Sequence, residues 1–578
     1  MKKIFYFLLL FFMGIFSNSC TKLLDKSPMD QISDAAFWKS EGDLQLFLNG
    51  MYDKFPTWNM SGSGGSPLPD AGTDIAISSG LFIGTKSRLD GNTSVPASGG
   101  GWSWTNVRNV NYFLENVDKV ASVTLKDHYA GEGYFFRAWF YFELLKQFGD
   151  LPIITKAVQV ADQDILYGTR SSRTDVVNFI VSDLDKAIAK MKLGSQVGAG
   201  RLNKNVALLF KARVCLYEGT WEKYHANTTF KGTSDGSAFL TLAASASKAL
   251  MDAANYSLVT GNTKSVYYTL FNQIDYSKNT EVLFYRQYNT TTLGSLNQAN
   301  ALNVYPNNSG ITRDMVRSYL CTDGLPISVS PLYQGDLDIR QVILNRDPRC
   351  EQTIINPGDV MTVTTKNDTI KFLTAVVLSS TNSCPTGYMS QKFYQPKVDP
   401  LTGGYSAEVG YIMFRFAEAL LIYAESKAEL AQLTQADLDL SINKLRQRVG
   451  MPSMTLASIT TDPAWPDYGY VLPNYLQEIR RERAIEMFSE GLRLDDLMRW
   501  RAHSLFLAKR PIGAFYTAEM KTINNTLAAD ANGYLDPFKT TLSGTNAGWG
   551  FRPDKDYLKP LPINELTLNK SLKQNPGW

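Results

Sequence analysis

Residues 134–148 read YFFRAWFYFELLKQF. Apolar and aromatic side chains fall nearly all round this stretch, so a helix here leaves no broad face for water and belongs between other helices. Gly149-Asp150-Leu151-Pro152 then stops it. On the N-terminal side, Val107, Val110, Leu114, Val117 and Ala121 recur at helical spacing, as do Leu44, Phe47, Leu48, Met51, Tyr52 and Phe55. On the C-terminal side, Val176, Ile180, Leu184, Ala187, Ile188 and Met191 make a further face. Residues 205–218 follow, and then Phe239, Leu242, Ala243, Ala246, Ala249, Leu250 and Ala253. Ala138 in RAWFYFELL and Ala212 in KARVCLYEG sit in similar settings 74 residues apart. That is about two units of 37, near the ~34-residue tetratricopeptide period. Residues 414–428 (FRFAEALLIYAESKA) resume the pattern, followed by Leu438, Ile442, Leu445 and Val449. The predicted architecture is mainly α: a tetratricopeptide-like helical-repeat scaffold of about four helix pairs, with a large irregular, partly β, ligand-binding portion.

The irregular portion lies mostly between 255 and 409. There Gly, Pro, Asn, Thr and Asp punctuate short runs such as VLFYRQY (282–288) and DTIKFLTAVV (368–377), which read as strands and long loops. A second irregular stretch, rich in Gly and Pro, covers 56–101. The expected divisions are 1–19 as signal peptide, 20–254 as an N-terminal helical-repeat region carrying a ligand-loop insertion at 56–106, 255–409 as a mixed insertion, and 410–578 as a C-terminal region.

Composition narrows the function. The chain has 578 residues, a net charge of +3, three His and five Cys. That charge over that length gives no nucleic-acid footprint. Few His and Cys leave little material for metal or thiol chemistry, so no catalytic residue, cofactor or metal is assigned. Aromatics reach 12%, an excess that needs a use.

Lys2 and Lys3 precede a 13-residue apolar run, Ile4–Phe16, and Ser17-Asn18-Ser19-Cys20 follows. Thirteen residues are too few to span a bilayer, which takes ~20, so the segment reads as a signal peptide. Cys20 after a small residue resembles a lipoprotein processing site, although Ser17 stands where Leu is usual. Use of this site would leave a lipidated Cys20 anchoring the body to a membrane. Of the other cysteines, Cys350 and Cys384 are the pair an oxidising compartment could join. Cys215 falls in an apolar helical pattern and reads as a buried thiol.

Gly232-Thr233-Ser234-Asp235-Gly236 matches the nucleophile-elbow spacing, but polar residues precede it where that motif needs a buried strand. His128, His225 and His503 are scattered. Asp530, Asn532 and Asp536 could bring oxygens to Ca²⁺, but the terminal bidentate Glu of a calcium loop is missing, and an Asx turn is the better reading. Glycoside hydrolysis by two distant carboxylates stays open at this point. The stretch 478–501 (EIRRERAIEMFSEGLRLDDLMRWR) sets Glu478, Glu482, Glu486 and Glu490 at i, i+4 steps. Like charges at that spacing repel, so basic groups must answer them. Gly491 can turn the chain and bring Arg493, Arg499 and Arg501 back for that pairing.

That same stretch, Ile479 to Trp500, resembles the C-terminal hallmark of the SusD/RagB-like family of outer-membrane nutrient-binding lipoproteins, through Arg480, Glu482, Arg483, Glu486, Glu490-Gly491, Arg493, Asp496-Leu497 and Arg499-Trp500. Leu24-Asp25-Lys26-Ser27-Pro28, Arg137-Ala138 to Gly149-Asp150-Leu151-Pro152, Arg346-Asp347-Pro348-Arg349, Arg415-Phe416-Ala417-Glu418 to Ala424-Glu425, Asn443-Lys444-Leu445-Arg446 to Gly450-Met451-Pro452, and the closing Gln574-Asn575-Pro576-Gly577-Trp578 are similar to family motifs in the same order. The resemblance implies four tetratricopeptide-like helix pairs and an irregular ligand-binding half. It implies a surface-exposed, lipid-anchored outer-membrane protein that captures an oligosaccharide or polysaccharide without catalysis. It also implies a SusC-like TonB-dependent transporter as partner, over which the lipoprotein closes. A peptide or other nutrient in place of glycan is an alternative, and a surface glycoside hydrolase a more distant one.

A sugar offers flat C–H faces to aromatic rings and hydroxyls to polar side chains. Region 56–106 supplies Trp58, Asp70, Asp74, Arg88, Trp102, Trp104 and Asn106. Trp102-Ser103-Trp104 follows a Gly99-Gly100-Gly101 run just before a helix, and the family's comparable segment contributes to a glycan platform. Rings at i and i+2 would face the same way if the backbone were extended. Tyr288 and Tyr305 are secondary candidates. Trp139, Trp221 and Trp500 read as core.

Overall fold

The computed structural model describes residues 37–58, 68–78, 88–121, 126–198, 200–289, 309–363, 366, 368–372, 384–396, 408–540 and 548–578. Cys20 and Tyr305 lie outside the described residues.

The first helices follow the predicted faces. Helix α1 (Glu41–Tyr52) starts at a capping box, with Ser40 accepting from the Asp43 amide and the Asp43 carboxylate accepting from the Ser40 amide. It buries Leu44, Leu48 and Met51. Helix α2 (Thr105–Asn116) buries Val107, Val110 and Phe113. Helix α3 (Lys126–Phe148) is buried almost all round, as its composition required. Helices α4 (Arg173–Lys190), α5 (Lys204–His225) and α6 (Ser237–Asp252) follow. Each packs on the next from α2 to α6, and α1 lies against α3.

The array then resumes far along the chain. Helix α6 packs on α7 (Phe416–Glu429), which packs in turn on α8 (Asn474–Glu486), and α9 (Arg493–Arg499) lies against α5. Between α6 and α7 the described residues form only short elements. β1 (Ala76–Ser78) pairs antiparallel with β3 (Ser309–Ile311), β2 (Val282–Arg286) with β6 (Tyr411–Arg415), and β4 (Val360–Val363) with β5 (Thr369–Lys371). The predicted strands in 282–288 and 368–377 are thus real but short. The pairing of β2 with β6 delivers the chain straight into α7, which is how the insertion closes on the helical array.

One charged network ties the two portions together. Glu478, Glu482 and Glu486 lie on α8, and Glu490 follows in the turn that Ser489 and Gly491 make at positive φ (60° and 77°). The residues that answer them are not Arg493, Arg499 and Arg501. Arg446 pairs with Glu478 (2.7 Å) and Glu482 (3.1 Å). Arg349 pairs with Glu482 (2.6 Å), Glu486 (2.9 Å) and Asp347 (2.7 Å). Arg415 reaches Glu486 (2.7 Å), Glu490 (2.7 Å) and Glu281 (2.9 Å), and Arg448 reaches Glu486 (2.7 Å) and Glu281 (3.3 Å). Lys392 caps the row at Glu490 (2.7 Å). All of these side chains are buried. Arg493 instead forks onto Asp74 (2.9 and 2.6 Å), and Arg499 pairs with Glu425 and Asp496. A fold-back fails because the turn after Glu490 sends α9 against α5, not back along α8.

Among the described cysteines, Cys215, Cys321, Cys350 and Cys384 are all free and buried, so the proposed Cys350–Cys384 bond is absent. Burial pushes the thiols of Cys215 and Cys350 up to about 12 and that of Cys384 to about 11. Among the described residues no helix is long and apolar enough to cross a membrane.

Candidate functional site

The aromatic candidates separate by what holds them. Trp58 is buried: its indole N–H donates to the Val409 carbonyl (3.2 Å), and its amide donates to the Tyr288 hydroxyl (2.8 Å). Tyr288 is buried with it in the core of the insertion. Neither offers a ring face to solvent. Arg88 donates to the Asp556, Lys146 and Tyr557 carbonyls, which ties its loop to the C-terminal segment. Asp74 is committed to Arg493. Asp70 is buried, accepts from the Arg493 amide (3.0 Å), and has its carboxyl pushed up to about 6 by that burial.

Trp102 and Trp104 do stand at the start of α2, but not as one flat platform. Gly99, Gly100 and Gly101 all take positive φ (71°, 61° and 92°), a run of left-handed turns that L side chains disfavour. A Cβ on Gly101 would sit 2.8 Å from Gln147 Oε1, so the loop is pressed against α3. The backbone at Trp104 is turned (φ −104°, ψ 1°), not extended, and the two rings meet edge to face at 5.4 Å and 79°. Trp102 is buried edge-on against Phe148 (5.0 Å). Trp104 is half-buried, steadied by Tyr141 of α3 at 5.9 Å.

Trp104 opens onto a groove of about 540 Å³. One wall is the segment after Pro152, with Ile154, Lys156 and Val158. The far wall is the short helix Gln163–Leu166 with Tyr167 and Gly168. Leu568 and Leu572, at and just after the C-terminal helix α10 (Ile563–Leu568), complete the apolar lining. The first wall is fixed by the scaffold. The Tyr141 hydroxyl accepts from the Ile154 amide (2.6 Å), and Asn111 of α2 donates to the Ile154 and Lys156 carbonyls (2.9 and 3.1 Å). Glu115 accepts from the Ala157 amide (2.9 Å). Arg137 in turn orients Asn111 (3.0 Å) while forking onto Asp183 of α4 (2.6 and 2.8 Å). Asn569 holds the far wall by donating to the Leu166 and Gly168 carbonyls. The result is a preformed groove between rigid elements, apolar in its lining, with Arg108, Lys156 and Glu565 at its polar edge.

Tyr167 is 51% and Leu166 44% exposed. Sequence reading missed both. The signal was there in the long non-helical joint after Gly149, where Ile153, Ile154, Ile165, Leu166 and Tyr167 are apolar residues in a loop. Asn106 is half-buried on the first turn of α2 and lies outside the groove lining.

The remaining candidates hold structure. Ser234 of the G-x-S-x-G stretch sits in the α5–α6 turn, where its hydroxyl accepts from the Gly236 amide (3.1 Å). His225 is buried and stacked on Trp221 (4.1 Å), and burial lowers its pKa to about 3. His128 pairs with Glu132 (3.0 Å), and His503 meets the Tyr557 hydroxyl (2.8 Å). Asp530 accepts from the amides of Asn532 and Tyr534 (both 2.9 Å), an Asx turn, while Asp536 pairs with Arg510 (2.9 Å). Among the described residues no group of three or more His, Cys, Asp or Glu is placed to hold a metal ion. Trp139, Trp221 and Trp500 are core, as read.

The chain is a helical-repeat scaffold that carries a preformed, largely apolar groove. The comparisons make the class specific. Residues 269–578 match the model of the SusD family, more than half of the chain, and residues 102–216 match a model described as "Starch-binding associating with outer membrane". The chain belongs to the SusD family. A curated relative, SusD-like protein P38 of Formosa agariphila, is 23% identical over 517 residues, covering 85% of this chain and 90% of that protein. A SusD-like protein of Bacteroides fragilis superposes with a TM-score of 0.71 at 23% identity, covering 96% of this chain and all of that one. A SusD-like carbohydrate binding protein of Bacteroides fragilis does so at 0.70 and 24%, covering 93% and all of that chain.

Proposed function

We propose that this chain is a non-catalytic glycan-binding lipoprotein of the outer membrane. It is anchored through Cys20, exposed at the cell surface, and delivers oligosaccharide or polysaccharide to a SusC-like TonB-dependent transporter. Membership of the SusD family supports the carbohydrate and outer-membrane parts of this reading, as does the structural likeness to a carbohydrate binding protein. The observation that carries it is the groove whose lining brings together the half-buried Trp104 and the exposed Tyr167 with Lys156, Arg108 and Glu565. Rings of that kind stack on the C–H faces of sugars, while the charged edge takes hydroxyls. Scaffold hydrogen bonds hold the groove walls and the Tyr141 ring steadies Trp104 beforehand, which lowers the ordering cost of binding.

The test is retardation in native gels containing polysaccharide, run alongside an assay for reducing ends. Retardation without product, reduced at least about tenfold in the Trp104→Ala, Tyr167→Ala double variant, is expected. Tenfold corresponds to about 1.4 kcal/mol, the scale of one stacking ring. Reducing ends appearing with time would sink the non-catalytic part, and unchanged retardation in the double variant would sink the groove.

A further inference from the structure

Beside the aromatic groove lies a second cavity of about 400 Å³, of different chemistry. The two are separated by a ridge of chain: Gly168 and Leu572 line the first, while Thr169, Ser571 and Lys573 line the second. Asn569 bonds the two strands of that ridge together.

The second cavity is basic. Arg170, Arg173, Lys231 and Lys573 contribute to its wall. Arg170 donates to the Asn575 side-chain oxygen (2.8 Å) and to the Phe148, Asp150 and Lys573 carbonyls. Among the described residues, Arg170, Lys231 and Lys573 form no salt bridge. Arg173 is 2% exposed and gives Nε and Nη2 to Glu218 (both 2.7 Å), with its guanidinium 3.9 Å over the Trp221 ring. Its Nη1 has no hydrogen-bond partner among the described residues. Asp150 is the one carboxylate on the lining, and its Oδ1 accepts from the Arg173 amide (2.9 Å). The lining therefore carries Arg170, Lys231 and Lys573, none of them in a salt bridge among the described residues, and Asp150, whose charge acts on Arg170, as its one carboxylate.

We propose that this pocket receives the anionic group, a carboxylate or a sulfate ester, of an acidic glycan whose neighbouring ring lies in the Trp104 groove. The proposal rests on the carbohydrate-binding reading above and names the class of sugar. Planar guanidinium forks and ammonium groups bind such oxygens by charge-assisted hydrogen bonds, which are stronger than those to neutral hydroxyls.

The test compares polygalacturonate, κ-carrageenan and a neutral β-glucan by affinity electrophoresis and titration calorimetry. It uses the parent chain, Lys231→Glu with Lys573→Glu, and a control with the same charge change at the exposed residues Lys39→Glu and Lys54→Glu. Thermal denaturation checks that each variant is folded. Binding of one or both acidic glycans is expected to weaken at least about tenfold in the pocket variant and to stay within about twofold in the control. It should also weaken as salt rises. Which of the two polymers binds separates uronate from sulfate. Equal loss in both variants would reduce the effect to net charge and overturn the proposal, as would unchanged acidic binding. Binding of the neutral glucan alone would overturn the anion pocket and leave the glycan reading intact, whereas binding of none would end both.

Discussion

Glu486→Gln replaces one buried carboxylate by an amide of the same shape, at the centre of the network that joins α8 to the insertion. In the folded chain Glu486 meets Arg349 at 2.9 Å, Arg415 at 2.7 Å and Arg448 at 2.7 Å, and all four side chains are at most 1% exposed. Burial by itself would raise this carboxyl, but the guanidiniums of Arg448, Arg415 and Arg349 outweigh it and hold the group well below the usual range. The amide keeps an acceptor but loses the charge and turns two N–H donors toward three guanidiniums. Breaking a buried pair leaves uncompensated charge and costs about 3–5 kcal/mol. The other carboxylates on the same arginines, Glu281, Glu482, Glu490 and Asp347, keep the loss from tripling. The expected loss is therefore about 4 kcal/mol, read by urea unfolding followed through tryptophan fluorescence. Asp252→Asn is the reference. It breaks an exposed i, i+4 pair with Lys248 (2.6 Å) and should cost about 0.5 kcal/mol or less. The sign with pH follows from the lowered carboxyl. Its contribution is full above the unfolded value near 4.3 and fades as pH falls through the folded one. A loss below about 1 kcal/mol for Glu486→Gln would refute the reasoning that this network fastens the insertion to the helices.

Three further outcomes can be checked. Trp102→Ala removes a ring buried against Phe148 and should cost about 3–5 kcal/mol in urea unfolding, whereas Trp104→Ala, half-buried, should cost less than half of that. Asp70 is held neutral by burial up to about 6, so its cost to stability is absent below pH ~4, grows up to pH ~6 and then stays constant. Asp70→Asn should flatten the stability profile across that window and gain up to about 3 kcal/mol at pH 7, an unchanged profile counting against it. The four buried thiols at Cys215, Cys321, Cys350 and Cys384 should resist a disulfide reagent until the chain is unfolded, with the same electrophoretic mobility reduced and unreduced.

The helices and the family were legible because each rests on local pattern. The nearly all-apolar 134–148 stretch announces a buried helix wherever it packs. The Glu478–Glu490 ladder likewise announced a need for cations. Their identity was not legible, since Arg349, Arg415, Arg446, Arg448 and Lys392 lie from 32 to 137 residues away from the carboxylates of that ladder which they bond. The same limit applied to the groove. Trp104 could be found as an aromatic beside a glycine run, but Tyr167 and Leu568 become its neighbours only when the α3–α4 joint and the C-terminal helix meet.

The sequence by itself determined which segments are helical, which stretch is irregular, and that a row of glutamates needs basic partners, because periodicity and like-charge repulsion are properties of neighbours along a chain. Only the tertiary structure decided which aromatic rings reach solvent. Trp58, Trp102 and Trp104 have the same chemistry and similar loop settings. Yet Trp58 is closed over by Phe393 and Trp102, though it borders the groove, is buried against Phe148, while Trp104 stays half-buried on the groove lining. Burial is set by what arrives from elsewhere in the chain, and no local pattern records it.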